Sequence, residues 1–153
     1  MSKINPHLHD QERIQHVFSN AIFLRISCLD EQNKPYIIPV NFGYQDGRLY
    51  FHSSPTGKKI DCLRKNNWVA FQADCHTELI IKQDPCKATV HYHSISGSGT
   101  VHFITDPQEK RLGMLSILNQ DGVPNVDFNE DALVKTEVLR IDILECTYKQ
   151  SPV

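Results

Sequence analysis

No stretch of this chain approaches the run of ~20 apolar residues that a helix needs to cross a bilayer. The opening residues, MSKINPHLHDQERIQ, are polar and hold no apolar centre of a secretory leader. Both absences point to a cytoplasmic protein. Charge of one sign is not in excess either. The formal net charge is -2, so no global field draws the chain to nucleic acid or to an anionic membrane. The five cysteines, Cys28, Cys62, Cys75, Cys86 and Cys146, are odd in number and include no CxxC pair. In a reducing compartment they read as free thiols, several of them buried. Repeats, low-complexity tracts and linkers are missing, which leaves residues 1–153 as one domain around one core. What is present suits a folded protein: 40% hydrophobic and 22% charged residues, with seven Phe and five Tyr for an aromatic core.

Catalytic equipment is scarce as well. There is no G-x-S-x-G elbow and no Walker spacing. The run GSGTVHF lacks the third glycine of a dinucleotide fingerprint and opens no helix. Gly97 and Gly99 instead read as bend residues, or as places where a flat ligand approaches the backbone. His91, His93 and His102 share one strand, with Cys75, His76 and Cys86 upstream. Their spacings match no structural zinc pattern, so no metal is expected. A chain so poor in acid–base pairs suits a cofactor that brings its own reactivity.

The pattern along the chain is mainly β with peripheral helices. Residues 9–20 predict a first helix with Ile14, Val17 and Phe18 on one face and Asp10 as its cap. Strands follow at 21–30 and 36–45. Pro39 in the second cannot donate to a ladder, so that strand lies at an edge or is bulged. Asp46-Gly47 marks a hairpin into a third strand at 48–54. Ser54 and Pro55 read as the cap and first turn of a second helix with Ile60 and Leu63 on its apolar side. A strand at 68–75 precedes an irregular polar stretch at 74–88. Residues 89–105 form one long strand bent near Gly97 and Gly99. Asp106, Pro107 and Glu109 give the third helix a capping-box start. A loop with one short helical turn leads to a final strand in which Leu139, Ile141 and Ile143 alternate with Arg140 and Asp142. Six or seven strands and three helices, with early antiparallel hairpins, suggest a small barrel.

One stretch, LYFHSSPTGKKIDCLRKN, runs against helix electrostatics. Lys58 and Lys59 fall where a helix begins, and cations oppose the macrodipole there. Ser53, Ser54, Gly57 and unsatisfied helix N–H groups complete a setting for a phosphate. A solvated basic helix start reads equally well from local chemistry. His52, just before the turn, is either a packing residue or part of a site.

The segment PYIIPVNFGYQDGRLYFHSSPTGKKIDCLRKN resembles the signature region of the pyridoxamine 5'-phosphate oxidase-like, FMN-binding split-barrel proteins. The later CKATVHYHSISGSGTVHFITDPQEKRLGML is similar to a second block of the nitroimidazole-resistance (Nim-like) subgroup. The resemblance spans residues 10 to 120 and implies a six-stranded antiparallel split β-barrel, homodimeric, with two FMN sites at the interface. It implies that Ile38, Pro39, Val40 and Asn41 run beside the flavin ring and that His52, Ser53 and Ser54 lie near the ring or ribityl chain. Lys58 and Lys59 would hold the phosphate, and Tyr92, His93 and Ser94 would approach the same flavin. Pro39 and the two lysines then both make sense, one freeing backbone groups for a ligand and the others meeting a dianion. The implied activity is flavin-dependent reduction of small molecules such as nitroaromatics, with a small-molecule electron donor. His52 is the first choice for an acid or base and His93 the second. The alternative is a flavin- or haem-binding protein without turnover, with His91 or His93 as axial ligand, or a deazaflavin in the same cleft. Two departures matter. The oxidases proper carry arginine-rich substrate-phosphate contacts near the C-terminus, whereas the final strand here has only Arg140, which argues against pyridoxamine 5'-phosphate as substrate. Ser98 stands where the subgroup carries a bulky residue, which implies a more open ring pocket.

Overall fold

A computed structural model describes residues 8–123 and 127–151. Its elements are α1 (Leu8–Asn20), β1 (Leu24–Leu29), β2 (Pro35–Val40), β3 (Phe42–Gln45), β4 (Arg48–Ser53), α2 (Lys58–Lys65) and β5 (Trp68–Ile80). A 3-10 turn at Pro85–Lys87 follows, then β6 (Thr89–Phe103), α3 (Pro107–Gln120), α4 (Glu130–Lys135) and β7 (Glu137–Gln150). The strands form one antiparallel sheet in the order β2-β1-β5-β6-β7-β4-β3.

The two outer members of that sheet, β2 and β3, are separated in sequence by Asn41 alone. Two residues of extended chain span only about 7 Å. The sheet must therefore curl until its edges approach at Asn41, although no ladder joins β2 to β3 and the hydrogen-bonded sheet stays open there. Counted as one bent strand, β2 and β3 give the expected six members; counted by their pairing, they give seven. Their division explains Pro39, which sits opposite Arg25 in an edge strand as its missing N–H requires.

Alternation sends one face of each strand inward. Leu24, Ile26, Phe42, Leu49, Phe51, Val69, Phe71, Ile95, Leu139 and Ile141 are buried in the interior. α1 plugs one end of the barrel. Its Phe18 ring lies 4.7 Å from Tyr44, 6.0 Å from Phe42 and 6.3 Å from Phe71, centroid to centroid. Gln120 at the end of α3 donates to the Phe18 and Ala21 carbonyls, satisfying the C-terminal end of α1. The helix runs from Leu8, so Asp10 lies inside it and is not its cap.

The hairpin at Asp46-Gly47 forms as the sequence predicts, both residues having positive φ (51° and 75°). Asp106 caps α3 by accepting from the Glu109 N–H. Glu109 does not return the capping-box bond; its carboxylate instead pairs with Arg140 on β7. Three expectations need correction. α2 begins at Lys58 with Gly57 at its cap, so Ser54 and Pro55 belong to the preceding turn. The irregular stretch is shorter than 74–88 and begins after Ile80, because β5 continues to Ile80 through a bulge between Cys75 and Glu78. The region before β7 holds a full helix, α4, with Asn129 as its cap.

Gly43 and Gly97 have packing reasons. A Cβ at Gly43 would come within 2.5 Å of the Ser116 backbone, because α3 lies directly on β3. A Cβ at Gly97 would meet the Glu145 carbonyl at 2.2 Å and the Phe71 ring at 2.5 Å. The flat group against Gly97 is thus the protein's own Phe71, and the register shift beside it lies in β7, where Leu144 is the extra residue opposite the Ser98–Gly99 step.

Two outcomes follow from this packing. Gly43→Ala should destabilise by about 1–3 kcal/mol or more, because backbone rather than a flexible side chain blocks the new methyl. Calorimetry should show Tm falling by on the order of 5 °C; an unchanged Tm would contradict the close approach. Cys86 is the exposed cysteine, whereas Cys28, Cys62 and Cys75 are buried and Cys146 is half-buried. Burial pushes Cys146 up to about 12, and burial with the Cys62 neighbour pushes Cys28 up to about 11. A thiol reagent at mildly alkaline pH should therefore titrate one cysteine rapidly in the native protein and all five in denaturant.

Candidate functional site

β4 delivers His52 and Ser53 to the end of the barrel, and the chain turns through Ser54–Gly57 into α2. Gly57 takes φ 122°, a conformation other residues avoid, and no side chain caps the helix. The first N–H groups of an α-helix have no intrahelical partner, so this end offers donors to an outside acceptor. Lys58 and Lys59 are the first two helical residues, as the sequence predicts.

The two lysines are held differently. Lys58 is exposed; its Nζ lies 3.5 Å from Asp30 Oδ2 and 4.4 Å from the centre of the Tyr36 ring. Asp30 also accepts the Gln32 and Lys34 N–H groups in the turn before β2, and those bonds with Lys58 hold its carboxyl below the usual range. Lys59 lies inward, 5.8 Å from the Phe51 ring centre. Burial lowers its pKa. His52 is lowered too, first by burial and then by the Lys59 charge, with Asp121 opposing. Asp121, at the end of α3, receives Asn41 Nδ2 at 3.5 Å. Asn41, His52, Lys59 and Asp121 thus come together from four elements. The desolvation felt by Lys59 and His52 is the kind an incoming anion relieves for the ammonium.

The other predicted residues stand elsewhere on the barrel. Register places Pro39, Arg25, Gln72 and Ser96 on one line across the outer face of β2-β1-β5-β6. Ser94 is on that same face, opposite Asp74, which pairs with Arg25 at 3.0 Å. Ile37 and Pro39 point outward, whereas Ile38 and Val40 turn toward the core. Tyr92 and Ser94 lie on the face opposite to His93 by simple alternation. His93 faces the α1 side, with Nδ1 2.7 Å from the Tyr148 hydroxyl and its ring against His16 and His76. Burial and those two imidazoles lower its pKa. Ser98 is buried and donates to Glu145 at 2.9 Å.

Asp30, Tyr36 and Asp121 were not identified from the sequence. Only Asp30 has a local signal, as the acidic residue opening the turn at 31–35. Arg140 is not available to a substrate phosphate: it makes a bidentate pair with Asp142 at 2.8 and 2.9 Å and a further bond to Glu109. Two clefts, of about 570 and 280 Å³, lie along Leu63–Asn67 with Val101–Phe103 and along Asn20–Arg25 with Asp74–Thr77. Neither includes the α2 N-terminus. Among the described residues no helix is long and apolar enough to cross a membrane.

An uncharacterized Rhizobium meliloti protein is 36% identical over 62 residues, which is 40% of either chain. The crystal structure of a candidate 5-nitroimidazole antibiotic resistance protein from Bacteroides thetaiotaomicron superposes with a TM-score of 0.82 at 28% identity, covering 92% of this chain and 84% of that one. An FAD and haem binding protein from Mycobacterium smegmatis superposes with a TM-score of 0.81 at 15% identity, covering 94% and 72%, and so speaks for the fold alone. Residues 10–150 match the sequence profile described as pyridoxamine 5'-phosphate oxidase. The split-barrel sheet, the basic start of α2 and this match over nearly the whole chain agree: the protein belongs to the pyridoxamine 5'-phosphate oxidase family.

Proposed function

We propose that the protein binds FMN and uses it as an oxidoreductase of small molecules, nitroaromatics among them. The observation that carries the reading is the uncapped N-terminus of α2, with Lys58 and Lys59 as its first residues and His52 and Ser53 beside it. Helix N–H donors and two ammonium groups fit a phosphate dianion, which offsets the unfavourable lysine–dipole contact. The ring would then lie along Ile38–Asn41 at the barrel edge, where strand pairing leaves backbone groups of β2 free. Ser54 would stand near the ribityl chain, and Tyr92, His93 and Ser94 would approach from another side or from the second subunit. When bound, FMN supplies two-electron redox chemistry between a reduced donor and an oxidised substrate. The chain itself would anchor the phosphate, place one ring face against β2 and leave His52 near the site as a candidate acid or base. The engaged Arg140 supports a substrate other than pyridoxamine 5'-phosphate.

The test is an absorption spectrum of the purified protein before and after adding FMN, beside a Lys58→Ala/Lys59→Ala variant. Wild type should show bound-flavin bands. The variant should bind roughly tenfold more weakly or worse, since a charge-assisted hydrogen bond is worth about 1.5–3 kcal/mol. Absence of flavin binding in wild type would sink the reading, and a Soret band in its place would favour haem. Nitroaromatic reduction with a reduced nicotinamide would separate enzyme from binder.

A homodimer is part of the same proposal. Ile37 is 66% exposed and Trp68 47% exposed, and register puts both on the outer face of β2-β1-β5-β6. Large apolar groups on one face suit an interface. Sedimentation should give a dimer for wild type and a monomer with weakened FMN binding for Ile37→Glu/Trp68→Glu; a wild-type monomer would refute it.

A further inference from the structure

On the α1 side of the barrel, away from the basic start of α2, His16 converges on two residues about sixty positions further along the chain. His16 comes from α1, and Cys75 and His76 come from the bulge in β5. One ligand atom from each lies within 4.8 Å of the others. Neighbouring residues of a regular strand point to opposite faces, so Cys75 and His76 should not share a site. The bulge breaks that rule. His76 takes φ 51°, a left-handed conformation that costs energy for a residue with a Cβ, and it swings the imidazole round beside the thiol. His16 stacks on His76 at 5.1 Å between centroids. His93 packs edge-on to both, at 5.8 and 5.7 Å, and is itself held by Tyr148. α1 and the strained bulge of β5 thus aim soft and borderline donors at one point, with β6 and β7 packed behind them. The 280 Å³ cleft lined by Phe23, Arg25 and Asp74 shares Cys75 and His76 with it.

We propose that His16, Cys75 and His76 form a three-ligand site for a borderline divalent transition metal ion, zinc foremost, with a coordination position open to this cleft. Two imidazoles and a thiolate are the donor set such ions select over magnesium or calcium. Around tetrahedral zinc the donors stand roughly 3.4–3.6 Å apart, by the usual Zn–N and Zn–S lengths. Closing from 4.8 Å asks for about 1 Å of side-chain movement, which the exposed His16 and His76 can supply. On binding, the metal–sulfur bond replaces the S–H bond of Cys75 and the proton passes to solvent. No electron transfer is involved. His93 is a positioning residue that fixes the two imidazoles through its edge contacts.

The experiment is cobalt(II) titration of the full chain as purified, after chelator treatment, read as a difference spectrum so that any flavin absorbance cancels. One equivalent of cobalt should give a thiolate-to-metal charge-transfer band with tetrahedral d–d bands, and zinc should displace it. Cys75→Ser should remove the charge-transfer band, whereas Cys86→Ser should leave it. His16→Gln, on the exposed side of α1, keeps the test open if the buried cysteine variant fails to fold. It should weaken binding by no less than the roughly tenfold that even an outer-shell partner is worth. Absence of a thiolate band in wild type, or a band unchanged in Cys75→Ser or His16→Gln, would overturn the proposal. Lys58→Ala/Lys59→Ala should titrate as wild type does, which separates this site from the flavin reading.

Discussion

Asn41 is one residue long, and the architecture depends on that. The chain pairs with β1 before it and with β4 after it, yet β1 and β4 stand next to opposite ends of the sheet order. A longer connection would let the sheet lie open. A single residue forces the curl, and the curl creates an interior large enough for Phe18, Phe42, Phe51 and Phe71. α1 and α3 then cover what the curl leaves open, with the α3 contact at Gly43 so close that no side chain fits. The same junction carries Asn41 to the end of the barrel, where it meets Asp121 beside His52 and Lys59.

The start of α2 shows how a fold keeps an unfavourable charge. Lys58 is partly compensated by Asp30 and by the face of Tyr36, both supplied by the β1–β2 hairpin. Such an exposed pair is worth at most about 1 kcal/mol. Lys59 has no equal partner among these groups and lies half-buried against Phe51. The asymmetry fits the proposed division of labour: an outer lysine anchored to the scaffold and an inner one whose charge awaits a phosphate. Thermodynamics then couples ligand to fold, because whatever binds only the native state stabilises it.

Local chemistry was readable where it was decided locally. Asp46-Gly47 turned as its φ preferences demand, Asp106 capped α3, and the fifteen-residue β6 could be read through its bend. The resemblance carried the barrel topology, which no propensity supplies. Errors came where a tertiary partner outbid a local one. Ser54 and Pro55 have the right chemistry to open a helix, but the chain needs them in the turn that clears the barrel end, and Gly57 takes over. Glu109 has the spacing of a capping box, but a buried guanidinium competes for it. The polar 74–80 stretch looked irregular because its alternation is interrupted by the bulge, although the pairing to β6 resumes. His16 meeting Cys75 and His76 lay beyond any pattern, since some sixty positions separate them and only the plug formed by α1 brings them together.

β7 pairs along β4 on one side and β6 on the other. Of the described strands it is also the last to leave the ribosome. Until it emerges, β3 and β4 form a hairpin with no third strand, a unit of marginal stability in water. β1, β2, β5 and β6 can pair beforehand, but they cannot close, and the apolar faces of both fragments stay wet. Synthesis therefore proceeds with two incomplete halves, and the final fourteen-residue strand joins them in a single late event. Such long-range closure is slow and exposes unpaired edges while it waits. A nascent chain of this protein thus carries unpaired sheet edges and wet apolar faces until β7 arrives.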